Sequence, residues 1–120
     1  MLAAGENEVA RDELRWLLDG CPDFIAAHRM LGELALEEND VRLARGHFGY
    51  AYEIGRRAFP HGGPPGPVPY DLPANQGFLE AAKGLAWCLR QLGEAGLARE
   101  VVETMLACDR TDPLGVRTWV

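Results

Sequence analysis

The chain has no serine, a single lysine at Lys83, and no CxxC pair among its cysteines. Each absence removes a class of chemistry. Without serine there is no serine nucleophile. Cys21, Cys88 and Cys108 have no histidine at metal-ligand spacing, and His28, His47 and His61 form neither HxxxH nor HExxH. The glycine-rich run HGGPPG lacks the following Lys-Ser/Thr of a phosphate loop. No catalytic residue, metal or cofactor is therefore expected, and the cysteines are expected to serve as small buried hydrophobes. No apolar run approaches the ~18 residues of a membrane span, and the start MLAAGENEVARDELR lacks a basic lead, so a cytoplasmic protein with reduced thiols is expected. Twelve basic against eighteen acidic residues leave a net charge of −6. That balance argues against nucleic acid and anionic membranes as partners, since both demand a basic surface.

What is present is helical periodicity. No alternating strand pattern occurs outside one loop, so the expected fold is all-α. The spacing predicts a helix over about 6–19 with Val9, Ala10, Leu14, Leu17 and Leu18 on its apolar face. A second helix begins at Phe24 with Asp23 as its cap. A third, opened by Asn39-Asp40, carries Leu43, Ala44, Phe48, Ala51 and Ile54. Gly46, Gly49 and Gly55 weaken that helix by up to ~1 kcal/mol each, a cost that often marks close approach to another backbone. A fourth helix ends at Gly93 and a fifth follows. Asp112-Pro113 reads as the cap and first residue of a short helix over 113–120.

The pattern repeats. Ala10, Leu14 and Leu17 return thirty-four residues later as Ala44, Phe48 and Ala51, and again as Ala98, Val102 and Met105 after thirty-four plus twenty residues. The extra twenty coincide with the segment over 59–74, in which FPHGGPPGPVPYDLP holds six prolines and three glycines.

On these residues the chain resembles the tetratricopeptide repeat family. The repeat over 25–58 offers Leu31, Gly32, Ala44, Phe48 and Ala51 at the family's places, and the repeat over 75–111 offers Leu85, Ala86, Gly93 and Ala98. The first helix, followed by Pro22, matches the second half of a preceding repeat. Val102, Met105 and His28 depart from the family's usual residues. Asn75, Phe78, Asp112, Pro113, Gly115 and Arg117 are similar to the closing repeat of some tetratricopeptide-like proteins. The resemblance implies an α-solenoid of antiparallel helix hairpins with an inserted Pro/Gly-rich loop. It also implies a concave face, lined by the first helix of each pair, that binds a peptide or helix of a protein partner. The candidate groove residues are Arg29, Glu33, Lys83, Trp87 and Arg90. Glu33 and Trp87 stand where a carboxylate clamp would need asparagine.

Val68, Tyr70 and Leu72 alternate in the proline segment. Three readings stay open: the three pin the loop to the helices, Tyr70 reaches into the groove and shapes its mouth, or Pro64-Pro65-Gly66-Pro67 is a PxxP ligand. At the ends of the array, Trp16 on one side and Leu114, Val116 and Trp119 on the other are apolar. Open end faces would pair as a homodimer; the alternative is that they fold back and seal the core.

Overall fold

The structure is a computed structural model and describes residues 4–59 and 67–119. Its elements follow from local chemistry. α1 spans Ala4–Gly20, α2 Ile25–Glu37, α3 Val41–Arg56, α4 Pro73–Gln91 and α5 Ala95–Cys108. A short 3-10 turn covers Arg117–Trp119, and no strand occurs among the described residues. The fold is all-α.

Asp40 caps α3 as expected: its Oδ1 accepts the Leu43 amide at 3.1 Å. Asn39 before it takes a positive φ of 59°, a conformation that asparagine tolerates better than most residues. Gly93, with φ of 79°, turns the chain between α4 and α5. Pro73 opens α4 at the position where its missing N–H costs nothing.

Two expected caps are corrected. Phe24, not Asp23, occupies the N-cap of α2 and offers no side-chain bond. Asp23 lies in the preceding turn, closed by the Phe24 amide on the Cys21 carbonyl at 3.1 Å, one residue too early to reach the first free amides. Asp112 does not start an α-helix over 113–120. Its φ is 53°, and its carboxylate takes the amides of Val116 and Arg117 at 2.9 and 3.0 Å. That clamp, with Gly115 at a φ of 68°, folds the tail into a turn.

The helices pack in a repeating order. α2 lies on α3 and α4 on α5, α3 and α2 both touch α4, and α1 rests on α2. Among the described residues α1 packs on α2 alone, so it buries one narrow stripe, Leu14 with Ala10 and Leu18 beside it. Val9 and Leu17, expected on that stripe, are exposed. α3 is gripped by α2 and α4. It buries Ala44, Phe48, Ala51 and the unforeseen Tyr52, which stacks on Phe78 at 5.4 Å; Leu43 stays exposed and Ile54 half-buried. Two ion pairs mark the repeat. Arg11 bonds Glu38, and Arg45, thirty-four residues on, holds Glu94 at 3.2 Å. Each ties a helix to the turn that joins the next two.

The centre of the array is Phe48, 2% exposed. A Cβ added to Gly32 of α2 would stand 2.7 Å from its ring, and one added to Gly84 of α4 would also stand 2.7 Å away. The ring is held between two helix surfaces with room for hydrogen alone on either side. Of the three α3 glycines, Gly55 meets a neighbour closely, and that neighbour is the ring of Phe78 rather than backbone. Gly49 approaches only Leu85, at 3.7 Å, and Gly46 faces open space.

Cys88 and Cys108 are buried, and burial pushes both thiols up to about 11. Cys21 departs from the expectation: it is exposed beside the α1–α2 turn.

The two kinds of glycine separate in a urea titration. Gly84→Ala is expected to lose about 1–3 kcal/mol because the Phe48 ring has nowhere to retreat. Gly46→Ala is expected to gain up to ~1 kcal/mol, since its Cβ meets nothing and the helix is stiffened. Equal losses at both sites would show that Phe48 is not clamped.

Candidate interaction surface

Of the six expected groove residues, Arg29 and Glu33 lie one turn apart on α2, Lys83, Trp87 and Arg90 share a helical spacing on α4, and Tyr70 stands in the loop before α4. Arg29 Nη1 bonds Glu33 Oε1 at 2.6 Å, one helical turn away. Tyr70 donates its hydroxyl to Glu80 Oε1 at 2.6 Å. That bond to Glu80, before any effect of burial, raises the Tyr70 phenol above its ordinary value, while the nearby Arg29 charge pulls it down. Arg90 lies over the ring of Trp119 at 5.4 Å. Lys83 is half-buried and Trp87 is 37% exposed; neither has a hydrogen-bond or ion-pair partner among the described residues. Arg29 Nε is buried without a partner.

The proline segment is tied to the end of α5. Val68 donates its amide to the Cys108 carbonyl at 2.7 Å, and Tyr70 donates its amide to Asp109 Oδ2 at 3.0 Å. Val68 and Tyr70 pack on the core, so the described part of the loop is pinned, and the Tyr70 hydroxyl also reaches Glu80 of α4. Leu72 does not share their side. The chain turns at Pro69–Leu72, where the Leu72 amide meets the Pro69 carbonyl at 3.3 Å, and Leu72 is left exposed. His61 and residues 64–66 of the PxxP run lie outside the described residues.

Of the two readings left open for the C-terminal end, the described residues take the fold-back, so Val116 is not on an open face. Val116 is 1% exposed, and Leu114 and Trp119 pack against the main core. The Asp112 clamp brings them there. At the other end Trp16 is 73% exposed.

A deep concavity lies elsewhere. α3 and α5 both rest on α4, and among the described residues their backbones stay apart, which leaves a cleft of about 1190 Å³. Leu85 and Leu89 of α4 form its floor, Gly46 and Gly49 lower its α3 wall, and Leu97 of α5 rims it. At the α3 N-terminal end, Arg45 is neutralised by Glu94. At the other end stand Arg56 and Arg57. Arg56 pairs with Glu53 at 3.3 Å and lies 5.8 Å from the Tyr52 ring centre; Arg57 has no ion pair among the described residues. Burial raises the Tyr52 phenol, partly offset by a bond with Thr104 and the charge of Arg56. This cleft was not foreseen. Its signal was the pair Gly46 and Gly49, read as contact points, together with the repeat register that makes α3 and α5 equivalent helices.

On the α1 side, the His28 ring packs tilted against Tyr50 with centroids 4.5 Å apart, and its Nε2 meets the Pro22 carbonyl at 2.8 Å. Burial first, then His28, Arg15 and Arg11, lower the His47 imidazole from its ordinary value. Among the described residues no cluster of three or more His, Cys, Asp or Glu could hold a metal ion, and no helix is long and apolar enough to cross a membrane.

Comparison of the chain with family models, with curated proteins and with solved structures found no match.

Asp109 supplies a pH test of the loop. Its bond from the Thr111 hydroxyl, and then the Tyr70 amide, holds its carboxyl below the ordinary range. A depressed carboxylate stabilises fully above its unfolded value and loses that contribution as pH falls through the folded one. The protection of the Tyr70 amide against hydrogen exchange is therefore expected to hold at neutral pH and to drop on acidification below the ordinary carboxylate value. In Asp109→Asn it should be lower at neutral pH and insensitive to that acid step. An unchanged profile in the variant would show that Asp109 does not hold the loop.

Proposed function

We propose that this chain is a tetratricopeptide-like interaction module that receives a segment of a protein partner in the cleft between α3 and α5, and that it performs no catalysis. The observation that carries this reading is the cleft itself: a depression floored by Leu85 and Leu89 between two helices that touch only through side chains, Arg45 with Glu94 and Tyr52 with Thr104. A concave depression with polar groups placed around it is a usual form of recognition site. The free thiols suit a reducing, cytoplasmic setting.

The α2–α4 face, with Arg29, Glu33, Lys83, Trp87, Arg90 and Tyr70, is the site that the family resemblance suggests. It is the less favoured place because Arg29, Tyr70 and Arg90 are already engaged within the chain. A partner there would have to displace Glu33, Glu80 or Trp119, whereas the cleft requires no such exchange at Arg57.

The test is selection of a helical-peptide library on the intact chain, with the binders mapped by amide chemical shifts. Shifts are expected along residues 45–57 and 97–104, and binding is expected to weaken by about tenfold or more in Gly46→Leu, whose side chain enters the cleft. Shifts centred on Arg29, Lys83 and Trp87 would move the site to the other face. A library that yields no binder would remove the reading.

A second reading is self-association through α1, favoured by the exposure of Trp16, Val9 and Leu17 on a helix that packs on α2 alone among the described residues. Light scattering over a concentration series decides it. A dimer that dissociates in Trp16→Asp supports assembly through α1, and a monomer at all concentrations rejects it.

A further inference from the structure

We infer that the occupant of the α3–α5 cleft is an amphipathic helix that runs antiparallel to α3 and carries acidic residues in its first turn; this rests on the cleft being the docking site. The shape comes first. Arg45 near the start of α3 reaches Glu94 at the start of α5, and Tyr52 near the end of α3 meets Thr104 near the end of α5, so the two walls run side by side in one direction. A three-turn helix of about 12 residues is ~18 Å long and ~10 Å across, on the order of 1400 Å³. A cleft of about 1190 Å³ takes most of such a body.

The wall is prepared for close approach. Gly46 and Gly49 lie three residues apart on the cleft side of α3, and no neighbour among the described residues requires either. Gly32, Gly84 and Gly55 all make room for an aromatic ring; Gly46 makes room for nothing among the described residues. A helix laid against these two positions would bring its backbone near that of α3 and recover contacts for the cost of the glycines.

Charge sets the direction. The end near Arg45 is balanced by Glu94. The end near Arg56 and Arg57 carries two guanidinium groups against Glu53, and the Arg56–Glu53 pair is an exposed, weak one at 3.3 Å. Carboxylates of a partner fit there. Helices favour acidic residues in their first turn, and antiparallel neighbours oppose their macrodipoles. Both preferences are met when the partner's N-terminus lies beside the C-terminus of α3.

The test uses two hydrocarbon-stapled peptides of about twelve residues with the same leucine stripe and composition. One carries two glutamates in its first turn, and the other carries them in its last turn; the staple keeps their helicity equal. Affinity for the full chain is measured by fluorescence anisotropy, and the site by amide shifts. The first-turn peptide is expected to bind about tenfold tighter, with shifts at Gly46, Gly49 and Arg57. The double variant Arg56→Ala, Arg57→Ala, at two exposed positions, should erase the difference. Equal affinities, or a preference for the last-turn peptide, with shifts still in the cleft, would overturn the acidic antiparallel helix and leave the cleft as the docking site. Absence of cleft shifts with both peptides would overturn both.

Discussion

One aromatic ring holds the array together. Phe48 sits where α2, α3 and α4 converge, and glycine stands on both helices that face it, Gly32 and Gly84. A ring in such a slot makes many dispersion contacts and leaves no void, so it sets how far α3 stands from each neighbour. Phe78 repeats the device one layer on. It fits against Gly55, stacks on Tyr52 and receives the edge of Phe59 at 5.5 Å. Both rings belong to the main core cluster, while Ala27, Leu31 and Leu34 of α2 form a second, smaller cluster with Leu14 of α1.

The open cleft is a consequence of that spacing. α3 is seated on α4 by Phe48, and α5 is seated on α4 by Ala98, Val102 and Met105. Both walls are fixed by their contacts with α4, with Arg45 and Glu94 bridging them at one end. Where the walls face one another, the chain supplies glycine instead of bulk. On the opposite face the side chains satisfy each other, by Arg29 with Glu33, Tyr70 with Glu80, and Arg90 over Trp119. Two faces of one array thus differ in kind: one is closed by its own pairs, and the other has room.

Much of the fold was legible in the residues. Periodicity and the turn residues Asp40 and Gly93 located helices, because each acts within a few positions along the chain, whereas Pro73, read as part of the loop, opens α4. Burial was harder to read. Leu43 was expected inside and Tyr52 was not, since which stripe a helix buries depends on how many neighbours grip it. Val9 and Leu17 failed for the converse reason, on a helix with one neighbour among the described residues. Asp112 has the spelling of a cap, but its positive φ turns the carboxylate back on Val116 and Arg117. The Arg29–Glu33 pair was legible in its spacing of four. The cleft was not, because it lies between helices whose backbones stay apart, and only the register of the repeats brings them side by side.

The spacing set by Phe48 is tested most directly by a double-mutant cycle on urea stability, with Gly84→Ala, Phe48→Leu and the pair. If the ring wedged against Gly84 fixes the distance of α4 from α3, each single change destabilises, and the pair loses clearly less than the sum, because the smaller side chain relieves the new Cβ. Strictly additive losses would mean that the two residues do not share a contact, and that something other than Phe48 sets the position of the cleft walls.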